Sequence, residues 1–297
     1  MNGKTAIAAV VLMGVATMVA RAQGGLVLNE VLFQPRSGEA EFVELYNPTA
    51  EAISLDNYMI IRWIGDSLGT RYPLPSHAVG PRDYVVLTKD AASVAANYGG
   101  VQLQKVVECR LPTYPNDGGA VVLADAAGRV VERLDYSPAM HSRLLRNKAG
   151  VSLERRSHER PCNEATNWFS AASTVGYATP TLPNSQSAEY LAEEARFALS
   201  SDIVSPDGDG YQDDLTIDYT LDANDIYASI EVYDASGHPV RRLLNNALLG
   251  THGSLGWDGR GDGGKALKQG RYILIINLYD LNGTRQTIRR ALAVVNP

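Results

Sequence analysis

The sequence has little of what usually assigns a function directly. It holds two cysteines in 297 residues, and its 33 acidic residues outnumber 27 lysines and arginines, which gives a net charge of −6. This balance argues against a protein that works mainly by neutralising nucleic-acid phosphates. Apolar residues make up 45% and charged residues 20% of the chain, which also argues against disordered, collagen-like and coiled-coil proteins. The length allows two domains, each with its own core.

Catalytic signatures are scarce as well. The five histidines show no H-E-x-x-H or other metal-ligand spacing. Neither cysteine lies in a catalytic signature. We therefore predict a chain that is not an enzyme.

The start of the chain predicts export. Lys4 precedes an apolar run of mostly small residues at 5–19, followed by A-R-A at 20–22, the pattern that signal peptidase cleaves. Residues 1–22 are therefore predicted to be a signal peptide. No later apolar stretch approaches the roughly 20 residues that span a bilayer, so the mature chain is predicted to have no transmembrane segment. We expect a protein at the cell surface or secreted, with the periplasm as the alternative.

The two cysteines, Cys109 and Cys162, would lie in a compartment that permits disulfides. A disulfide between them would contribute about 4 kcal/mol in the chain-entropy model. The alternative is two separate buried thiols, because a pair of cysteines does not make a framework.

Short alternating segments predict an all-β fold. Between Leu215 and Leu221, apolar residues alternate with Thr and Asp, the period of two expected of a strand with one face in water. Similar runs occur at 26–33, 41–46, 84–88, 120–124, 226–233 and 272–278. The runs are short and separated by Gly, Pro, Asn and Asp, which favours a sandwich over alternating βα units.

Three turns and two helices complete this prediction. Each turn begins with Asp and ends with Gly three residues later, at 125–128, 234–237 and 280–283. Asp accepts a hydrogen bond from the backbone two residues on and Gly adopts a positive φ, so each turn predicts a hairpin. Helix is predicted at 91–98, with Asp90 as N-cap, and near 189–196.

Eight blocks in the first part of the chain point to one family. They read VLNEVLF at 27–33, EFVELYNP at 41–48, SLDNY at 54–58, VGPRDYVVL at 79–87, PNDGGAVVL at 115–123, GVSLER at 150–155, NWFSAA at 167–172 and GYATP at 176–180. In this order they resemble the lamin-tail domain. The resemblance implies an immunoglobulin-like β-sandwich, which we place at residues 23–184.

Four further blocks indicate a second domain. They read SPDGDGYQDD at 205–214, IEVYDASGHPV at 230–240, GWDG at 256–259 and GRY at 270–272. They resemble the immunoglobulin-like C-terminal modules of gliding-motility and type IX-secreted proteins, which are similar in turn to a domain of the flagellar hook-capping protein. We place this domain at residues 197–297, after a linker at 185–196. The resemblance implies two immunoglobulin-like sandwiches in tandem, and sorting to or attachment at the cell surface.

An acidic loop in the second domain is the candidate metal site. Its residues Asp207, Asp209 and Asp213 offer carboxylates at positions 1, 3 and 7, Tyr211 offers a backbone carbonyl at position 5, and Asp214 follows. Hard oxygen ligands and tight glycine turns are what Ca²⁺ requires, so we expect one calcium ion. The alternative is a turn whose Asp side chains bond backbone amides.

A basic cluster in the first domain is the second candidate site. It contains Arg143, Arg146, Lys148, Arg155, Arg156 and Arg160. Such a cluster would suit an anionic polymer, either an acidic glycan or a nucleic acid. The alternative is a solvated face.

These features predict an exported, non-enzymatic binding or scaffold protein of the cell envelope or surface. Its lamin-tail domain would be the binding module, and its partner an envelope protein, a secretion-machinery protein or a surface glycan. Two alternatives remain: an accessory module of a surface hydrolase or nuclease system, and an anionic-polymer binder that uses the basic cluster.

Overall fold

The computed structural model describes residues 25–65 and 67–295. The predicted signal peptide, residues 1–22, lies outside the described residues. The first twelve strands are β1 (Val27–Leu32), β2 (Phe42–Tyr46), β3 (Ile53–Ser54), β4 (Tyr58–Ile64), β5 (Ser67–Pro73), β6 (Ala78–Val79), β7 (Tyr84–Thr88), β8 (Val106–Glu108), β9 (Gly119–Asp125), β10 (Val130–Tyr136), β11 (Leu153–Arg155) and β12 (Trp168–Ser170). Eight more follow: β13 (Arg196–Leu199), β14 (Ile203–Val204), β15 (Leu215–Thr220), β16 (Tyr227–Asp234), β17 (Pro239–Leu248), β18 (His252–Trp257), β19 (Gly270–Tyr279) and β20 (Arg285–Val294).

Within residues 25–65 and 67–295, helix is limited to short pieces. The α-helix α1 (Ala91–Asn97) starts where the sequence predicts it, and the side chain of Asp90 caps it by accepting from the Ser93 N–H at 2.9 Å. The 3₁₀ turns are Leu55–Asn57, Leu103–Lys105, Pro138–Met140, Ala165–Asn167, Ser173–Val175 and Ala188–Tyr190. The helix predicted near 189–196 is wrong apart from the last of these turns, because Arg196 already pairs with Thr220 in a sheet. None of the helices in the described part of the chain has the length and apolarity that crossing a bilayer requires.

The first twelve strands build one sandwich. A six-stranded sheet has the order β12-β11-β1-β2-β7-β8, a four-stranded sheet has the order β10-β9-β4-β5, and β3 pairs with β6. Their facing sides enclose a core that includes Leu28, Val43, Leu123 and the fully buried Trp168. Because strand side chains alternate between faces, Phe42 points to the other side of the six-stranded sheet, where it packs with Val94 of α1.

The last eight strands build a second sandwich. A three-stranded sheet has the order β13-β15-β18, and a five-stranded sheet has the order β14-β20-β19-β16-β17. Leu215, Ile217 and Tyr219 on β15 are buried in its core beside Trp257, as the alternation in the sequence predicts. The predicted fold class, all-β with two immunoglobulin-like sandwiches, is confirmed.

The three Asp-to-Gly turns are hairpins, as predicted. In the β9–β10 turn, the Asp125 carboxylate accepts from the N–H groups of Ala127 and Arg129 at 3.0 and 2.9 Å, and Gly128 has φ 81°. The β16–β17 and β19–β20 turns repeat these bonds through Asp234 and Asp280. The Asp side chain therefore replaces backbone partners that the tight turn cannot supply.

The segment predicted as a linker is not free chain. Ser185 and Gln186 are buried between the sandwiches, and the Ser185 carbonyl accepts from the Thr251 N–H at 2.8 Å. Further hydrogen bonds cross this junction from Gln186 Nε2 to the Leu249 carbonyl at 2.9 Å, from Ser173 Oγ to the Leu248 carbonyl at 2.7 Å, and from the Tyr227 hydroxyl to Ser142 Oγ at 2.8 Å. The two sandwiches are therefore docked against each other.

Both cysteines are free thiols, so the disulfide alternative has to be corrected to two separate thiols. Cys109 continues β8, where its N–H donates to the Thr88 carbonyl at 2.8 Å. The Cys162 carbonyl accepts from the Trp168 indole of β12 at 2.7 Å. β8 and β12 are the opposite edges of the six-stranded sheet, and five strand spacings of roughly 4.8 Å far exceed the roughly 7 Å limit for bridged Cα atoms.

Candidate functional site

Three glutamates lie side by side on the six-stranded sheet. Glu30 on β1 is in register with Glu154 on β11 and with Glu44 on β2, and all three are fully buried. Like charges directly opposite each other destabilise a sheet, and buried carboxylates need hydrogen-bond donors. We call this row the glutamate ladder.

The donors come from the segment that leads into the second sandwich. Backbone N–H groups donate from Thr179 to Glu30 at 2.9 Å, from Thr181 to Glu44 at 2.5 Å, and from Gln186 to Glu154 at 2.8 Å. Side chains donate from Ser152 to Glu30, from Asn29 to Glu44, and from Thr179 and Ser185 to Glu154. The ladder therefore fixes residues 179–186 on the outer face of the sheet.

The ladder has strongly perturbed acidity. Burial raises the pKa of Glu30 to about 8, and the neighbouring Glu154 charge adds to this effect. Burial also raises the pKa of Glu44 and of Glu154. Glu30 is therefore mostly protonated at neutral pH, which removes part of the repulsion within the row.

A cavity of about 170 Å³ lies beside the ladder on the same face. Tyr46 is two residues beyond Glu44, so both point to the outer face, and Tyr46 pairs across the strands with Tyr84. The ring centroids of Tyr46 and Tyr84 are 4.9 Å apart, and the His158 ring stacks on Tyr46 at 4.6 Å. The segment 183–189 also contributes to the lining, through residues that include Pro183, Ser187 and Glu189.

Three arginines, Arg82, Arg155 and Arg156, also belong to the lining of this cavity, and Arg155 is already paired with Glu132. The Nε atom of Arg156 is buried and has no hydrogen-bond partner in the described part of the chain. Arg82 is exposed and has φ 55°, in the left-handed region that residues other than glycine rarely adopt. Glu159 and Glu189 lie in the same lining. The cavity thus combines aromatic rings, positive groups and a rim that carries negative charge.

The acidic loop brings three of its predicted ligands together. Asp207, Asp209 and Asp213 each place one oxygen within 4.8 Å of the others, and Asp214 is not part of this group. The carboxylates also accept backbone hydrogen bonds: Asp213 from Gly208 and Gly210, Asp207 from Asp209, and Asp209 from Tyr211, at 2.6 to 3.0 Å. The loop therefore has the hydrogen bonds of an Asp turn together with an oxygen cluster that suits Ca²⁺.

The basic cluster does not form one patch. Arg155 is 2% exposed and forms an ion pair with Glu132 at 3.0 Å, so the expectation that it meets an external polymer has to be corrected. Arg160 forms an ion pair with Glu164, and Lys148 Nζ donates to the Pro138 carbonyl at 2.6 Å. Arg143 and Arg146 are exposed, whereas Arg156 lines the cavity.

One motif in the sequence needs its structural context. G-D-S-L-G at 65–69 matches the G-x-S-x-G pattern of hydrolases. Ser67 is the first residue of β5 and pairs with Ile64, the last residue of β4, and its Oγ donates to the Ile64 carbonyl at 3.2 Å. A hydrolase serine stands on a strand-to-helix turn, so this serine does not have the context of a nucleophile.

The fold and these sites define a two-sandwich β protein with docked domains. Residues 19–138 match the family model of the Lamin Tail Domain, and residues 198–292 match that of the CHU_C Type IX secretion signal domain. The chain therefore carries a lamin tail domain followed by a type IX secretion signal domain. The second domain indicates export to the cell surface or secretion. No curated protein matches the chain at a significant level.

Three solved structures are similar to this chain at a low level. FlgD from P. aeruginosa is 19% identical and has a TM-score of 0.25, with 34% of this chain and 77% of that chain covered. Dimeric latent PorU from Porphyromonas gingivalis is 11% identical and has a TM-score of 0.28, with 96% of this chain and 21% of that chain covered. CopC from Methylosinus trichosporium OB3b is 15% identical and has a TM-score of 0.24, with 35% of this chain and 95% of that chain covered. With scores this low, none of them supports a statement about function.

Proposed function

We propose that this chain is a non-enzymatic binding protein displayed at the cell surface. The lamin tail domain is its binding module, and the second domain sorts or attaches it. The observation that carries the proposal is the combination on one chain of a lamin tail domain with a type IX secretion signal domain. Both are non-catalytic types of domain.

The docked junction supports this division of roles. The hydrogen bonds at Ser185, Gln186 and Thr251 hold the secretion domain against the lamin tail sandwich. A binding module fixed in this way is presented at the surface in one orientation relative to the domain that attaches it. The binding contacts then belong to the surface of the lamin tail sandwich outside these junction bonds.

Fractionation of native cells tests the proposal. We expect intact cells to expose the chain to added protease, and cells without a working type IX translocon to keep it in the periplasm. Mass-spectrometric mapping of both chain ends then separates sorting from attachment, because a sorting domain is removed by a cut near residues 185–200. A periplasmic chain in cells with a working translocon would contradict the proposal.

A further inference from the structure

The cavity beside the glutamate ladder has the features of a ligand site. We propose that it binds a single acidic sugar unit, whose carboxylate faces Arg156 and Arg82 and whose ring lies against Tyr84. The ligand class rests on the proposed surface-binding function, since it makes a surface glycan the partner of the lamin tail domain. The existence of the cavity does not depend on that function, because the cavity is formed by residues of the first sandwich and of the segment 183–189.

The Nε–H group of Arg156 lacks a hydrogen-bond acceptor in the described residues. This group is buried, and a buried donor left unmatched is unfavourable. The Arg156 backbone is held on both sides, since its N–H donates to the Asn167 carbonyl and its carbonyl accepts from the Ala188 N–H, both at 2.8 Å. Arg156 also belongs to the cavity lining, and a guanidinium group matches the two oxygens of a carboxylate.

Arg82 lies in the same lining. The left-handed backbone at Arg82 is held by a hydrogen bond from its N–H to the Thr49 carbonyl at 3.2 Å. Strained residues of this kind persist where the surrounding structure fixes them, and they are frequent at ligand sites. Arg82 stands two residues before Tyr84, which is the first residue of β7.

The two glutamates in the cavity lining limit the negative charge that a ligand can carry. Glu159 and Glu189 line the cavity together with the arginines, and their negative charges would repel a polyanion. A ligand with one carboxylate satisfies the guanidinium groups without adding a second charge near the glutamates. The site therefore fits one acidic unit better than a phosphate-rich chain.

Size and lining favour a sugar ring. The volume of about 170 Å³ is below the roughly 300–1,000 Å³ of sites for drug-sized ligands. The Tyr84 ring offers an apolar face and the Ser187 hydroxyl a polar group. The other two polar or aromatic neighbours are occupied, since the Asn29 amide is bonded to Glu44 and Asn184 and the His158 ring covers Tyr46. Burial raises the pKa of the Tyr84 hydroxyl, so this group stays a neutral donor for a sugar oxygen.

Calorimetric titration of the purified full chain with sodium glucuronate tests the site. Glucose is the neutral control, and inorganic phosphate is the control for an anion without a ring. We expect both controls to bind at least about tenfold more weakly than glucuronate, because glucose lacks the carboxylate and phosphate lacks the sugar ring. Equal binding of glucose or of phosphate, or no binding of glucuronate, would overturn the proposal.

Single substitutions test whether glucuronate binds in this cavity. Arg156→Gln should weaken glucuronate binding about tenfold or more, whereas Arg143→Gln, which changes an exposed arginine outside the cavity lining, should stay within about twofold of the parent protein. If Arg156→Gln melts at a lower temperature, Tyr84→Phe and Arg82→Gly serve instead, because glycine keeps the positive φ. An equal loss with Arg143→Gln would refute the site in favour of diffuse charge attraction.

The two proposals fail separately. A surface-exposed chain that does not bind glucuronate overturns the acidic-sugar site and leaves the surface function standing. A chain that binds glucuronate but remains in the periplasm of cells with a working translocon overturns the surface function and leaves the site standing.

Discussion

Raising the pH from 6.5 to 8.0 should destabilise this protein, and Glu30→Gln should remove most of that loss. The folded-state pKa of Glu30 is about 8, against 4.5 for an ordinary glutamate. Between these values the folded chain binds more protons than the unfolded chain, so the free energy of unfolding falls as the pH rises. The stabilising effect of protonation is complete below 4.5 and is lost as the pH passes 8.

The size of the effect follows from proton linkage. One proton corresponds to about 1.4 kcal/mol for each pH unit. Because Glu30 itself deprotonates near the upper limit, the loss over this window is roughly 1.5–2 kcal/mol. For a domain of the size of the first sandwich, that loss lowers the Tm by roughly 3–8 °C. The raised pKa values of Glu44 and Glu154 act in the same direction.

Glu30→Gln isolates the ladder from other titrating groups. Glutamine cannot ionise, its carbonyl oxygen still accepts from Ser152 and Thr179, and its amide can donate to a neighbouring carboxylate. We expect a flatter Tm profile for this variant in thermal melts followed by circular dichroism at pH 6.5, 7.0, 7.5 and 8.0. The exposed Glu51→Gln is the matched control and should keep the slope of the parent protein. Parallel profiles for the parent protein and Glu30→Gln would refute the argument.

Four further predictions concern other parts of the chain. Burial lowers the pKa of His141 to about 4, so stability is lost as the pH falls from 6.5 through 4, and His141→Gln should flatten the acid limb of the Tm profile. A Cβ at Gly250 would lie 2.7 Å from the Ser185 carbonyl oxygen, whereas one at Gly256 would meet nothing within 4 Å. Gly250→Ala should therefore loosen the docked junction and speed proteolytic cleavage within residues 185–196. Gly256→Ala should leave the rate of this cleavage unchanged. Arg155→Met should lower the free energy of unfolding in urea by about 3–5 kcal/mol, because it leaves a buried ion pair half complete. Calcium at a hundred times its Kd should stabilise the protein by about 2.7 kcal/mol, and Asp209→Asn should abolish this; an unchanged Tm in the parent protein would reject the calcium site.

Much of the fold is local enough to be predicted from the sequence. The alternation at 215–221 gives β15, and the Asp-to-Gly turns give three hairpins, because each signal lies within a few residues. The two sets of sequence blocks that resemble known domains place both sandwiches. The error at 189–196 has a tertiary cause: polar, acidic residues there suit a helix locally, but Arg196 is drawn into the pairing with β15.

The glutamate ladder could not be predicted in the same way. Alternation assigns Glu30 to a wet face, and its burial depends on Thr179, which is 149 residues away in the chain. The basic cluster fails for a related reason. The strand β11 ends at Arg155, whose side chain enters an ion pair with Glu132. Arg156 follows beyond the strand and takes no part in that ion pair, so two arginines that are adjacent in sequence have different surroundings.

The docked junction also determines how the molecule carries a mechanical load. A partner that pulls on the first sandwich while the second is held at the surface applies tension to residues 179–186. Before this segment can extend, its bonds to Glu30, Glu44 and Glu154 must break. These carboxylates stand on three adjacent strands of one sheet, so the force is shared across the sheet and does not act on a single strand end.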